Sequence, residues 1–380
     1  MNIGIIGFGL RTQGLLKLII EEKLDVKVVS VCDIKEENQV MDDLKKITAD
    51  ISGVTFYHNE DDMLDIERLD GVLLATRCSL HTKMAIKVLK KNIPLYLEKP
   101  VATTLQDLDT LQKECKGKEH LIVVSFPLKT SKLARFSREL IEQGKVGKIS
   151  QIQAWNNVPY GGVYYHSWYR DDKETGGLFL QKATHDFDCI NFLIDEKPVD
   201  ICAMSSKVIF RGEKREGLKC VDCEDNTTCE ESPYYLENKA DENVMGEYCC
   251  FAVDTGNQDS GSAIIRYESG VHACYTQNFV ARKKAAGRGV RVIGYHGTLE
   301  FDWYTNEIKV FSHQTGANET YQFNAKNQSH FGGDLVLIEN FINIMKKKED
   351  SISTIEDGIE SARMCLAAAK SDKNREFVKI

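Results

Sequence analysis

Three groups of residues in this 380-residue chain have types and spacings that can do chemistry. The first is the turn Gly7-Phe8-Gly9-Leu10-Arg11-Thr12, set between an apolar run at 2–6 and an amphipathic stretch from Gln13 onward. Gly7 permits a tight turn, and Gly9 lets the backbone approach a pyrophosphate held on a helix N-terminus. A second apolar run ends in Asp33, 24 residues past Gly9. A carboxylate there can accept hydrogen bonds from both ribose hydroxyls of NAD, and it would repel the 2′-phosphate of NADP. The third position of the fingerprint is Thr12 instead of glycine, so looser packing of helix on strand is expected there. The second group centres on Lys99, which follows a short apolar run and precedes Pro100. The C-terminal end of a strand is the edge at which open α/β sheets bind ligands. The proline ring fixes the backbone, so the ammonium can point at a substrate hydroxyl, and a lysine buried beside a cofactor titrates low enough to exchange protons. The third group lies in "QKATHDFDCINFL". As a helix, this stretch turns Phe187, Ile190, Phe192 and Leu193 to a core and brings Gln181, Lys182, His185 and Asp188 near one another. His185 is its candidate general acid or base.

The elements that must position these residues follow from the hydrophobic pattern. Short apolar runs at 2–6, 26–32, 54–57, 71–75, 95–97 and 121–124 alternate with helical stretches. One of these is "HTKMAIKVLKKN", which places Met84, Ala85, Val88 and Leu89 on one face. Such alternation predicts a parallel sheet with right-handed crossovers. From about Ile149 the rhythm changes to longer strand-like runs (149–155, 263–267, 271–278, 289–294, 308–311) joined by turns, the mark of a mostly antiparallel sheet. Helical pattern returns at 333–347 and 353–369. The expectation is an α/β Rossmann domain over 1–125 that binds NAD, followed by an α+β domain over 126–380. The second domain would carry an open, mostly antiparallel sheet, bind substrate and mediate oligomerisation, with the C-terminal helix packing back on the first.

Composition sets the outer limits. With 42% hydrophobic and 28% charged residues the chain reads as globular. A net charge of −8 argues against a nucleic-acid partner, which would need a basic face. No apolar run approaches the roughly 18 residues of a membrane span, and the N-terminus lacks the basic and apolar regions of a signal peptide. A cytoplasmic protein without a membrane partner is expected.

The stretch "NIPLYLEKPVATT", with Glu98-Lys99-Pro100 at a strand end after a dinucleotide fold, resembles the glucose–fructose oxidoreductase / inositol dehydrogenase / MocA (Gfo/Idh/MocA) family. "DGVLLATRCSLHTKMAIKVLKKN", "GKVGKISQIQAW", "GGLFLQKATHDFDCINFLI" and "HFGGDLVLIENFINIM" are similar to further pieces of that family in the same order. The resemblance implies that Thr76, Arg77, His81 and Glu98 line the cofactor, with Arg77 standing where the family commonly has proline. It also implies a D-x-G-x-H pattern whose aspartate and histidine join the lysine around the reacting carbinol. Here His185 is kept, Gln181 occupies the aspartate position and Ala183 the glycine position, so the aspartate role is vacant or has moved to Asp186 or Asp188. The cleft between the two domains is where substrate, nicotinamide, Lys99 and His185 are expected to meet.

Substrate class is read from the remaining polar groups. Lys182, with Arg170 or Arg291, offers a binding site for a carboxylate. Tyr160, Tyr164, His166 and Trp168 suit stacking on a sugar, and equally suit packing of a loop or an interface. The expected activity is NAD(H)-dependent oxidation or reduction of a hydroxyl on a sugar, cyclitol or sugar acid. One alternative is a redox-neutral reaction on a sialic acid or other anhydro-sugar, in which transient oxidation permits elimination or hydration. Another is a non-catalytic NAD-bound sensor. A homodimer or homotetramer through the second sheet is expected.

Of twelve cysteines, most stand singly in apolar contexts and read as small buried hydrophobes. Five gather in an insertion at 212–250: the C-x-x-C pair Cys220 and Cys223, then Cys229, Cys249 and Cys250. Cys220, Cys223, Cys229 and Cys250 resemble a tetrahedral structural zinc site, whose thiolates bind at about 2.3 Å. Free thiols in a surface insertion are the alternative.

Overall fold

Six apolar runs become strands: β1 Asn2–Ile6, β2 Lys27–Cys32, β3 Thr55–Tyr57, β4 Gly71–Leu74, β5 Leu95–Leu97 and β6 Ile122–Val124. All pair in parallel, in the order β3-β2-β1-β4-β5-β6. Central strands of such a sheet are covered on both faces, which is why β4 and β5 are buried along their whole length. The intervening helices carry their own start signals. Asn59 caps Glu60–Ile66 through the Asp61 amide, and Thr104 caps Leu105–Glu114 through that of Asp107.

The computed structural model describes residues 1–48, 50–235, 246–323 and 329–380. The chain forms two compact units, Met1–Lys132 with Lys326–Arg363, and Leu133–Ala325 with Met364–Ile380. The helix Gly333–Met345 therefore belongs to the first unit, whereas the sequence pattern assigned it to the second domain. The reason is its apolar face: Leu337, Ile338, Phe341 and Met345 pack into one core with Ile3, Ile5, Leu15 and Val31. The last helix, Ile355–Asn374, is likewise shared, its residues up to Arg363 counting with the first unit.

The second unit is built on a nine-stranded sheet: β7 Ile149–Asn157, β8 Pro198–Ser206, β9 Ser260–Tyr267, β10 His272–Asn278, β11 Gly287–Gly294, β12 Gly297–Asp302, β13 Glu307–Ser312, β14 Asn318–Gln322 and β15 Val378–Lys379. Their order is β14-β13-β12-β11-β7-β10-β9-β8-β15. Only β7 and β10 run parallel; the other neighbours are antiparallel. Period-two burial marks the open face. In β9, Ala263, Ile265 and Tyr267 are buried while Ser262, Ile264 and Arg266 are exposed. The helix Thr184–Ile194 lies on the buried side, where Phe187 meets Tyr275 edge-on and Asn191 accepts the Tyr267 hydroxyl. The insertion expected at 212–250 leaves the sheet after β8, and its residues 236–245 lie outside the described ones.

Candidate functional site

The glycine turn joins β1 to the helix Leu10–Glu21. Gly7 adopts φ +88°, and a Cβ there would stand 2.6 Å from the Ala75 carbonyl oxygen, so only glycine fits. At Gly9, by contrast, a Cβ would meet no protein atom within 4 Å. Its lack of a side chain is not explained by packing, and it leaves bare backbone at a helix N-terminus, which suits a pyrophosphate. Phe8 is fully buried and Leu10 is exposed. Thr12 is also fully buried, and its hydroxyl donates to Gly7 O at 2.7 Å. The looser packing expected at this position is therefore not found, because the threonine closes the turn with its own hydrogen bond. Asp33 stands at the end of β2 and accepts from the amides of Phe8, at 2.6 Å, and Lys35, at 2.9 Å. It thus fixes the glycine turn against the strand end while each carboxylate oxygen keeps a second lone pair.

Arg11 turns away from that surface. Its guanidinium binds Asp334 in a two-pronged pair at 2.6 and 2.9 Å, Glu98 at 2.5 Å and the Ser125 hydroxyl at 2.9 Å. Glu98 and Arg11, both expected to line the cofactor, are tied to each other. Lys99 follows at the C-terminal end of β5, half-buried. The next residue is fixed from behind by His81, whose ring nitrogens lie 2.8 Å from Pro100 O and 3.2 Å from Thr76 O. Burial draws this imidazole below its ordinary pKa. His81 thereby stands between the Lys99-Pro100 turn and the Thr76-Arg77 turn, which leads into the helix His81–Lys90. Asp334 is the partner that sequence reasoning missed. It lies 323 positions from Arg11, and no local signal pointed to it.

In the second unit the chemistry-bearing helix is preceded by a π-helical turn, Phe179–Ala183. The regular spacing expected for Gln181, Lys182, His185 and Asp188 is therefore interrupted after Ala183. Such turns recur at functional sites because the widened backbone re-aims side chains. All four residues are buried. The Gln181 amide donates to Thr175 O at 3.1 Å. The Lys182 ammonium is 2.5 Å from the Tyr160 hydroxyl and sits 4.5 Å from the Tyr160 ring centre and 5.6 Å from that of Tyr164. Asp186 is fully engaged: Arg288 donates at 2.7 Å, Asn156 at 2.9 Å and Tyr275 at 2.8 Å. Burial alone would lower the Arg288 pKa, but Asp186 raises it above its ordinary value. The Asp186 carboxylate is thereby held by three donors of the second unit. Arg288 gave one overlooked signal, a charge in register with Val290 and Val292 on the buried face of β11.

Several expected substrate contacts are turned inward. Arg170 is buried against Asp254 at 2.6 Å and the Thr255 hydroxyl at 2.8 Å, and Arg291 pairs with Glu300 on neighbouring β12. Neither guanidinium is left to assist Lys182. Tyr164 packs edge-on against Tyr169 and Phe279, and Trp168 stacks on Tyr169. His166 is buried, with Nδ1 2.6 Å from Tyr248 O. Most of the aromatic segment therefore builds the wall of the second unit.

The cysteines divide differently from the expectation. Cys220, Cys223, Cys229 and Cys249 line one cavity with Lys214 and Phe251. Cys250 instead joins Tyr165, Phe210 and Phe279 in an apolar cluster. The cause is local pairing: the Cys249 amide donates to Leu218 O and that of Cys220 to Glu247 O. These bonds draw Cys249 against the C-x-x-C segment and turn its neighbour to the other side. Burial, then the thiols of Cys249, Cys229 and Cys223, push Cys220 up to about 11.

Comparison with known proteins accounts for the arrangement. The NAD-binding Rossmann-fold model of the Gfo/Idh/MocA oxidoreductases matches residues 1–126, and the model of their C-terminal alpha/beta domain matches residues 138–380. YteT of Bacillus subtilis is 23% identical over 317 residues, 74% of this chain and 73% of that protein. The 2,7-anhydro-N-acetylneuraminate hydratase of Mediterraneibacter gnavus is 24% identical over 196 residues, 51% of this chain and 50% of that one. The solved levoglucosan dehydrogenase, a complex with NADH and levoglucosan, shares the fold at a TM-score of 0.79 and 15% identity, covering 100% of this chain and 99% of its own. With both domain models matched in order along nearly its whole length, the chain belongs to the Gfo/Idh/MocA oxidoreductase family and carries that family's NAD-binding Rossmann fold.

Proposed function

We propose that this protein is an NAD(H)-dependent oxidoreductase acting on a hydroxyl of a sugar, cyclitol or sugar acid, with Lys99 and His185 as its proton-transfer residues. The observation that carries the reading is the placement of Lys99. It stands at the ligand-binding edge of a Rossmann sheet, with Glu98 before it held by Arg11 and Pro100 after it held by His81. NAD, when bound, supplies a hydride acceptor or donor. The chain's own task is the proton: a carbinol loses hydride only as its hydroxyl proton leaves, so a base must come within about 3 Å of that oxygen. Lys99 and His185 are the groups assigned that task. Asp33 is assigned the adenosine ribose, and Gly9 the pyrophosphate.

A second reading is favoured by Lys182, a buried cation lying over two tyrosine rings. Together with the similarity to an anhydro-sialic acid hydratase, it supports a carboxylate-bearing substrate and a redox-neutral cycle. The two readings separate in one experiment. Purified protein and NAD are offered a panel of sugars, cyclitols, sugar acids and anhydro-sialic acid, with reduced nicotinamide followed by absorbance and products by mass. Net NADH formation supports the dehydrogenase. Gain or loss of one water without net NADH supports the redox-neutral cycle. NAD binding without turnover of any of these overturns both and leaves a sensor.

The same proposal includes a homodimer or homotetramer through the open face of the second sheet, where Ile264 and Met204 stand exposed. Size-exclusion chromatography with light scattering tests it, and a monomer sinks it. Cytoplasmic residence is also proposed, supported by a complement of twelve cysteines that suits thiols in a reducing compartment; among the described residues no helix is long and apolar enough to cross a membrane.

A further inference from the structure

His166, Glu231 and Cys250 come from three separate stretches of the second unit, yet their ligand atoms all lie within 4.8 Å of one another. They comprise an imidazole nitrogen, a carboxylate oxygen and a thiol sulfur. His166 and Cys250 are almost fully buried, while the Glu231 side chain retains 28% exposure. The imidazole is held from the other side. Nδ1 donates to Tyr248 O at 2.6 Å, and the Tyr248 amide donates back to His166 O at 3.0 Å. This is the arrangement that fixes a metal-binding histidine, because a carbonyl on one nitrogen leaves the lone pair of the other aimed at the cation. The other nitrogen, Nε2, is buried and has no hydrogen-bond partner.

Nε2 lies 3.7 Å from a Glu231 oxygen. That is too long for a hydrogen bond. A nitrogen and an oxygen ligand on one tetrahedral zinc, at about 2.0–2.2 Å from it, stand about 3.3–3.5 Å apart, so a shift of a few tenths of an ångström seats an ion between them. Two lone pairs facing each other at this range in a buried site repel unless something positive stands between them. Arg282 donates to this same Glu231 oxygen at 3.4 Å and orients the carboxylate.

We propose that His166 Nε2, Glu231 and the Cys250 thiolate bind one divalent cation, with zinc as the ion suited to a mixed nitrogen, oxygen and sulfur set. Three protein ligands leave a fourth position for water. Binding displaces the thiol proton to solvent, and the two anionic ligands neutralise the ion. The site shares no ligand residue with the four-thiol cavity or with the residues assigned to hydride chemistry. It ties the insertion, through Glu231 and Cys250, to the loop carrying Tyr164–Trp168. His166 thereby passes from the expected sugar contacts to the wall behind them.

The test uses the full chain in a Cys223→Ser, Cys229→Ser background, which takes two of its four thiols from the competing cavity. After chelator treatment and dialysis, the protein is titrated with Zn²⁺, and metal content is measured by mass spectrometry. The expected result is uptake of about one zinc per chain, lost on adding His166→Gln or Cys250→Ser. With Co²⁺ instead, a thiolate charge-transfer band is expected that Cys250→Ser abolishes. If either of those variants fails to fold, Glu231→Gln serves, since its residue is partly exposed; zinc uptake should fall at least tenfold in affinity. No uptake by the parent, or equal uptake by parent and a folded ligand variant, overturns the site and leaves an imidazolium–carboxylate pair.

Discussion

Arg11 and Asp334, 323 positions apart, form a two-pronged ion pair in which both guanidinium Nη atoms meet both carboxylate oxygens. The pair locks the first turn of the helix after the glycine loop to the start of the helix Gly333–Met345. The Asp334 side chain is 1% exposed. Burial works to raise its carboxyl, but Arg11 and His330 outweigh burial and hold it well below the usual carboxylate range.

The first prediction is therefore one of stability. Arg11→Met should cost about 3 kcal/mol, because it leaves a buried carboxylate without its partner. NAD affinity should change little, since this guanidinium is engaged within the first unit. Urea unfolding and NAD titration of the same variant measure both. A stable variant that has lost NAD binding would return Arg11 to the cofactor.

The same pair predicts a pH dependence. The folded Asp334 carboxyl titrates below its unfolded value of about 3.9. Its contribution is therefore complete above that pH and is lost as pH falls through the folded value. Asp334→Asn should flatten this acid limb of the stability curve. Unfolding midpoints between neutral and acid pH, unchanged in slope by the substitution, would count against the pair.

Cofactor choice rests on Asp33. Replacing it with alanine removes ribose hydrogen bonds to a charged acceptor, each worth about 1.5–3 kcal/mol, or roughly tenfold to 150-fold in affinity. NAD should weaken by at least that lower figure, while NADP gains relative to it. Fluorescence titration with both cofactors decides. A wild type that already prefers NADP contradicts the assignment of Asp33 to the ribose.

The buried Arg288–Asp186 pair makes a different prediction. Arg288→Met alone should cost on the order of 3–5 kcal/mol by stranding Asp186. Adding Asp186→Asn should recover part of that loss, because the uncompensated charge disappears. A double variant whose loss equals the sum of the two single losses would show that the pair is not coupled.

What was legible in the sequence was what short stretches dictate. The glycine turn, Asp33 and Lys99 each follow from a strand end and the residues beside it, and the fold places them there. Residues that depend on distant partners were not legible. Nothing near Arg11 says that Asp334 will face it, so a charge beside the glycine turn read as a ligand contact. Arg170 and Arg291 read as substrate cations for the same reason, before Asp254 and Glu300 claimed them. The π-helical turn at Phe179–Ala183 has no composition of its own, and it broke the helical spacing assumed for Gln181 and Lys182. Between Cys249 and Cys250, only backbone pairing with residues 218–220 decides which thiol meets the C-x-x-C pair.

The last prediction concerns the chemistry. Lys99 is supported by neighbours on both sides, so its removal should alter proton transfer more than structure. Lys99→Met and His185→Ala should each lower turnover by roughly 10²–10⁴, the usual worth of a positioned acid or base. NAD affinity should be nearly unchanged in both. Gln181 cannot exchange a proton, and its amide is engaged with Thr175 O. Gln181→Ala should therefore cost less than either. Gln181→Asp should bring back a carboxylate three residues after Leu178 and four before His185, and with it part of the family's ordinary dehydrogenase behaviour. The measurement is steady-state turnover on whichever substrate the panel identifies, alongside NAD binding for every variant. Full turnover by Lys99→Met with NAD bound normally removes the lysine from the mechanism, and with it the main support for the dehydrogenase reading.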